Sequence, residues 1–333
     1  MNDRREDPPP DTSLGSWKGL VPIGIAAAVA LAVGAGVDVV REHQRAAKKR
    51  EAKIAADEQE TPARWVVGVT ESGAALVVRD VQTGENVGLP VAAPPDRRFH
   101  RVAAVRDGSY IVASYAGPEV TFQRFHLDED GRPKDLEDIP DVSVAGASTK
   151  WSELAVSPDG DRIAYVTYKG TRARVEVVSP ETGDHKVWTT QSPGRIGSLS
   201  WADATLSFVW SPVRSVGGEL REIKHEVRIL DTSGSTGDLR MSKAVLTLPQ
   251  GGTAAVYTGK TIVVGIVKDS QLTLQSYTPD GRPGEVLWKQ NVKGDLTDLD
   301  ANPSDSGFLA TAGDVYPQDA RPVPGEDLAD AAW

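Results

Sequence analysis

The chain has 333 residues and a formal net charge of −10, with 47 acidic against 37 basic side chains. That balance argues against a nucleic-acid partner, because phosphate binding needs clustered Lys and Arg on the folded domain. Cysteine is absent, which excludes a disulfide framework, a thiolate nucleophile and any Cys-ligated zinc or iron–sulfur site.

Residues 1–18 are polar and carry Pro8, Pro9 and Pro10, the composition of a disordered tail. No charged residue interrupts Gly19 to Val37. A run of about 19 residues approaches the ~20 needed to cross a bilayer core as a helix, so a single transmembrane helix is expected over 19–40. Trp17 and Lys18 stand where an interfacial anchor would. The acidic residues Asp3, Glu6, Asp7 and Asp11 weaken the reading as a cleaved signal peptide, which starts short and basic. Ala30 and Gly34 have the small-xxx-small spacing that lets two such helices approach, although small residues are common throughout the run. Residues 41–62 mix basic and acidic side chains with alanines and read as a charged helical stalk. Arg41, Arg45, Lys48, Lys49, Arg50 and Lys53 outnumber Arg4, Arg5 and Lys18, which by the positive-inside rule alone would keep the C-terminal part cytoplasmic.

From residue 63 onward, short β-branched and aromatic runs alternate with turn residues, and one pattern recurs every roughly 45–55 residues. Its clearest copy begins at Trp151. Strands are expected at Glu153–Ser157, Arg162–Tyr168, Arg174–Ser179 and His185–Thr189, joined by the turns Pro158-Asp159-Gly160 and Glu181-Thr182-Gly183-Asp184. This is a four-stranded antiparallel meander, one blade of a propeller. Further blades are expected from His100, from Ser198 and from Thr253, and a short one from Leu296 to Ala312. The first repeat, Trp65–Thr70 and Ala75–Asp80, lacks an opening strand, whereas residues 327–333 look like an opening strand with nothing after it. Pairing the two would remove both exposed edges and close a ring of six blades. The predicted architecture is therefore all-β: a six-bladed propeller of four-stranded antiparallel blades over 63–333, preceded by one membrane helix.

The segment Leu154-Ala155-Val156-Ser157-Pro158-Asp159-Gly160-Asp161-Arg162-Ile163-Ala164-Tyr165 resembles the repeat of TolB-type and WD-repeat-like bacterial propellers. Weaker echoes occur at Tyr277-Thr278-Pro279-Asp280-Gly281 and Ala301-Asn302-Pro303, and no blade carries a clear Gly-His and Trp-Asp pair. The resemblance implies a fold rather than an activity. For a membrane-anchored bacterial protein it also implies a propeller outside the cytoplasm. Long domains translocate despite flanking charge, so a single-pass protein of the cell membrane with an extracytoplasmic propeller is expected.

Aligning the six opening strands leaves one column polar in every blade: Asp330, Arg101, Glu153, Ser198, Thr253 and Asp298. In a propeller this column lies near the channel mouth on the side where the chain enters each blade. Three carboxylates and one Arg could bind a cation, a polar ligand or a basic peptide tip. Alternatively, they are polar because they are solvated and hydrogen-bond to neighbouring blades. A long insertion from Ser211 to His225, carrying Arg214, Arg221 and Lys224, is a candidate contact loop.

The five histidines lack metal-ligand spacing. Asp128-Glu129-Asp130-Gly131 fits a hairpin turn better than a calcium loop, because Arg132 and Pro133 follow it. The acidic run Asp135–Asp141 reads as a solvated loop, and the tryptophans at strand ends as packing between blades. No nucleophile elbow or phosphate-cradling glycine loop is present. No catalytic residue, metal site or cofactor is assigned. The expected function is a membrane-anchored, non-enzymatic module that binds a protein, a peptide or a small polar ligand. The alternative is a propeller hydrolase or lactonase that uses the channel-mouth carboxylates.

Overall fold

The computed structural model describes residues 64–333 apart from 203 and 304–306. The tail, the membrane helix, the stalk and the Ala30–Gly34 spacing expected over residues 1–62 lie outside the described residues. Among the described residues, no helix is long and apolar enough to cross a membrane.

Six sheets follow one another along the chain, antiparallel except where Gly237–Asp238 pairs in parallel with His185–Thr189. Blade 1 pairs Trp65–Thr70 with Ala75–Asp80 and Val91–Ala92, and its inner strand is Leu328–Ala332 from the far end of the chain. The register Val67↔Ala332, Gly68↔Ala331 and Val69↔Asp330 is antiparallel, as the two incomplete ends require. Arg79 clamps the same junction, with its Nη2 2.6 Å from the Asp327 carboxylate. Blade 2 runs from Arg98 to Ala145, blade 3 from Leu154 to Thr189, blade 4 from Gly194 to Thr247 and blade 5 from Gly252 to Asn291. Blade 6 has three strands, Asp298–Ala301, Phe308–Ala312 and Asp314–Pro317, and an isolated bridge Val315↔Val323 in place of a fourth.

The core is divided among the blade interfaces, and each interface has its own apolar cluster. Tyr168, Val175 and Trp188 of blade 3 meet Ile196, Leu206 and Phe208 of blade 4. Val256, Leu272 and Leu274 of blade 5 meet Leu299, Phe308 and Tyr316 of blade 6. Val66 and Val81 of blade 1 meet Leu309 and Val315 of blade 6 across Ala331 and Trp333. Clusters between blades 1 and 2, 2 and 3, and 4 and 5 complete the circle. A middle strand is thus buried on both faces, which explains continuous apolar runs such as Ile163–Val166 where a one-sided sheet would alternate.

The repeated turn forms as its residues demand. Gly160 adopts φ +79 and donates its N–H to the Ser157 carbonyl at 2.8 Å. Gly131 does the same at φ +77 in the Asp128 turn, a hairpin as expected.

Two loop readings are corrected. The acidic run Asp135–Asp141 is part of a 13-residue outer strand, Pro133–Ala145, paired with Glu119–Leu127. Outer strands face solvent and tolerate charge, so a polar run there does not mark a loop. The Ser211–His225 insertion is itself β-structured: the second strand of blade 4 continues to Val216, and Glu219–Glu222 folds back on it.

Candidate functional site

The inner strands bring one residue per blade to the channel, and bulges help to aim them. Register shifts occur at Phe99/Arg101, Gly197/Ser200 and Gly252/Ala254 within three inner strands, and at Val69/Thr70 against the fourth. Each lies at or beside the polar column, and Ser198 itself takes φ +49. A bulge adds one residue to a strand and redirects its side chain.

Four of the six column residues come within reach of one another's charge: Arg101, Glu153, Asp298 and Asp330. Arg101 ties three blades together. It donates to the carbonyls of Ser152 at 2.6 Å, Lys150 at 3.1 Å and Ala329 at 3.1 Å, with the Asp330 carboxylate 3.6 Å away. Asp330 accepts from the Val102 N–H at 2.7 Å, joining blade 1 to blade 2. Thr253 donates to the Leu296 carbonyl at 3.0 Å, joining blade 5 to blade 6. For these three residues the column is an inter-blade girdle, the structural alternative raised by their polarity.

The remaining charges of the girdle lack such partners. Glu153 is 6% exposed. Burial, opposed by Arg101 and reinforced by Asp298 and Asp330, pushes its pKa up to about 8. Asp330 is pushed up to about 7, again chiefly by burial against the opposing pull of Arg101. Burial also raises Asp298, whose only hydrogen-bond donor among the described residues is the Leu299 N–H at 2.9 Å. His100 beside them is held down to about 3 by burial and then by the Arg101 charge, so it is neutral; its Nδ1 lies 3.2 Å from the Tyr165 hydroxyl.

Ser198 and Thr253 line a cavity of about 470 Å³ at the entry mouth, together with Arg195, Glu222, His225 and Asp295. The insertion hairpin is rooted here. Glu222 lies 3.4 Å from Arg195, and His225 Nδ1 lies 2.8 Å from Ser211 Oγ. Further out, Arg214 stands directly across the hairpin from Arg221, which pairs only with exposed Glu219, and Lys224 pairs with Glu226. Val216, Leu220 and Ile223 are 49%, 55% and 52% exposed on this arm.

Two charged channel residues escaped the sequence reading. Arg195 precedes the strand start expected at Ser198, because Gly194–Gly197 carry no strong strand signal; the strand begins at Gly194. Asp300 lies two residues beyond Asp298 on the same side of its strand, so strand alternation alone could have found it. Among the described residues, no group of three or more His, Asp or Glu side chains converges to hold a metal ion.

No family model matches the sequence, and no curated protein matches it. Solved structures do match in shape. A chain of the nidogen/laminin complex aligns with 80% of this chain and 97% of its own length, at 10% identity and TM-score 0.51. A functionally unknown protein from Desulfotomaculum acetoxidans DSM 771 aligns over 81% of this chain and 98% of its own, at 12% identity and TM-score 0.51. TolB from Acinetobacter baumannii covers 70% of this chain and 67% of its own at 13% identity, with a TM-score of 0.33 that adds no argument. At these identities the likeness establishes the fold alone: the chain is a six-bladed β-propeller.

Proposed function

We propose that this chain is a non-enzymatic binding module whose propeller presents a protein-docking arm beside the entry mouth of its channel. The observation that carries the reading is the hairpin Thr205–Val216/Glu219–Glu222, with Val216 and Leu220 half exposed at its tip and Ile223 half exposed at its base. Isolated surface aliphatics are ordinary, but three exposed along one short hairpin offer apolar contacts on both of its faces. Glu219–Glu222 pairs on one side only among the described strands, which leaves an edge open to β-augmentation. Arg214 opposite Arg221 is a like-charge pair that an acidic partner would relieve. The fitting partner is an extended segment of a protein with acidic and apolar side chains.

The uncharged run 19–37 supports anchoring of this module at the cell membrane, and the resemblance to TolB-type propellers, against the flanking Lys and Arg, supports a propeller on the extracytoplasmic side. Protease protection on spheroplasts tests that placement: cleavage of the propeller without lysis is expected, and full protection would refute it. The docking surface is tested by cross-linking the full-length chain in its native membrane and comparing it with the Leu220→Glu/Ile223→Glu variant. The variant should lose the cross-linked protein while keeping its melting temperature. A partner retained by the variant, or none in either, would reject the docking arm.

A further inference from the structure

The far end of the channel opens into a separate cavity of about 620 Å³ to which all six blades contribute. Its volume lies in the range of small-molecule sites. The residues one strand repeat beyond the girdle explain the space. They are Ala332, Ala103, Ala155 and Ser200 in blades 1 to 4, all small, and Asp300 in blade 6, while blade 5 lines the cavity with Val256. Among the described residues of the lining, Asp300 is the one carboxylate.

Asp300 differs from Asp330 in having no evident structural task. Asp330 accepts a main-chain N–H from the next blade, whereas no described residue donates a hydrogen bond to Asp300. Burial first, then the negative charges of Asp298, Asp330 and Glu153, hold its carboxyl well above the usual range, and Arg101 opposes them only in part. The lining above it is apolar and aromatic, with Tyr257, Phe308 and Trp333. Gln318 Oε1 and Trp333 Nε1 belong to lining side chains and are buried without a hydrogen-bond partner, which is uncommon in a finished protein interior. The lining also holds one cation, Arg106, whose Nε donates to the Pro303 carbonyl at 3.3 Å on the loop of blade 6.

We propose that this exit-mouth cavity binds a small organic cation, an ammonium group carrying an aromatic or apolar body, with its charge against Asp300. The carboxylate supplies the counter-charge, and the aromatic faces attract a cation and exclude water. A lone carboxylate among apolar and aromatic side chains suits an organic ammonium better than a metal ion, which takes several oxygen or nitrogen ligands. Because Asp300, Glu153, Asp298 and Asp330 all carry raised pKa values in the folded channel, the cation displaces a proton as it binds. Affinity therefore rises with pH.

The test is isothermal titration of the full-length chain with benzylammonium and benzyltrimethylammonium, against neutral benzyl alcohol and anionic benzoate. The cations should bind at least about tenfold more tightly than the alcohol. They should bind more tightly in mildly alkaline than in mildly acid buffer, and the heats should vary with buffer ionisation enthalpy as a proton is released. Asp300→Asn, which keeps the side chain's shape, should erase the preference for cations. Leu220→Glu/Ile223→Glu should leave it intact, which separates this site from the docking arm. Equal binding of cation and alcohol by the wild-type chain, or no cation binding at millimolar concentration, would overturn the proposal whatever the variants do. So would a preference that survives Asp300→Asn.

Discussion

Replacing Glu153 with glutamine removes one ionisable group from the channel while keeping its size and hydrogen-bonding capacity. In the folded chain this carboxyl is pushed from its ordinary 4.5 up to about 8, first by burial and then by Asp298 and Asp330, against the opposing pull of Arg101 and Arg195. The unfolded chain therefore releases the proton near pH 4.5, and the folded chain holds it until about pH 8. Between those values the native state binds more protons than the unfolded state, so stability falls as pH rises, by about 1.4 kcal/mol per pH unit for one proton. Stability associated with this group is complete below 4.5 and gone above about 8. Integrated over the window, the loss is at most about 5 kcal/mol, and hydration of the channel and coupling to the neighbouring carboxylates reduce it. Urea denaturation of wild type and Glu153→Gln across this range is the assay. The variant should match wild type at the acid end and exceed it by a few kcal/mol at the alkaline end. Parallel profiles, or a wild type that gains stability toward the alkaline end, would show that Glu153 is well solvated and that the channel does not behave as a buried acidic site.

Trp333→Ala removes a side chain that is 8% exposed and sits between blades 6 and 1; denaturant melts should register a loss of about 3–5 kcal/mol, and a loss below about 1 kcal/mol would mean that the last strand does little to hold the ring shut. Gly131 and Gly108 make a matched pair, since both have positive φ, +77 and +83, but an added Cβ would lie 2.2 Å from the Trp65 ring at the first and meet nothing within 4 Å at the second. Alanine at Gly108 should cost about 1 kcal/mol of backbone strain, while Gly131→Ala should cost clearly more in the same melts because the Trp65 ring must move; equal costs would refute the steric argument.

Much of this molecule was legible because its repeat is spelled in turn chemistry. Ser157-Pro158-Asp159-Gly160 fixes where one strand ends and the next begins, and the copies at Asp128 and Thr278 fold the same way. The unmatched ends at Trp65 and Asp327 gave the closure, since two lone edges of opposite type can satisfy each other. Outer strands were harder to read. Pro133–Ala145 carries four acidic residues and looks like a loop because only its inward positions, such as Val142 and Val144, are fully buried. The insertion arm failed for the same reason, since Arg214 and Arg221 pair through their main chains in a hairpin whose faces are both wet. In the channel, alternation located the polar column but not its geometry. A bulge at His100 or Thr253 depends on how two strands register, which no single segment encodes.

The two levels of the channel show why a conserved-looking pattern of polarity need not mark a site. At the girdle, a guanidinium and a carboxylate are required because bulged strands leave main-chain groups of adjacent blades facing one another, and Arg101, Asp330 and Thr253 satisfy them. One strand repeat further along, Ser200 accepts the Tyr257 N–H of the next blade at 3.0 Å, and the positions are otherwise alanine in blades 1, 2 and 3. An aspartate in the sixth then adds a fourth carboxylate to a channel that already holds three, opposed in part by Arg101 and Arg195. Closure of the ring gives no reason for that charge. A closure role for Asp300 would require that Asp300→Ala destabilise the fold, whereas relief of carboxylate repulsion predicts that the same change stabilises it, most clearly at alkaline pH, where the neighbouring carboxyls are ionised.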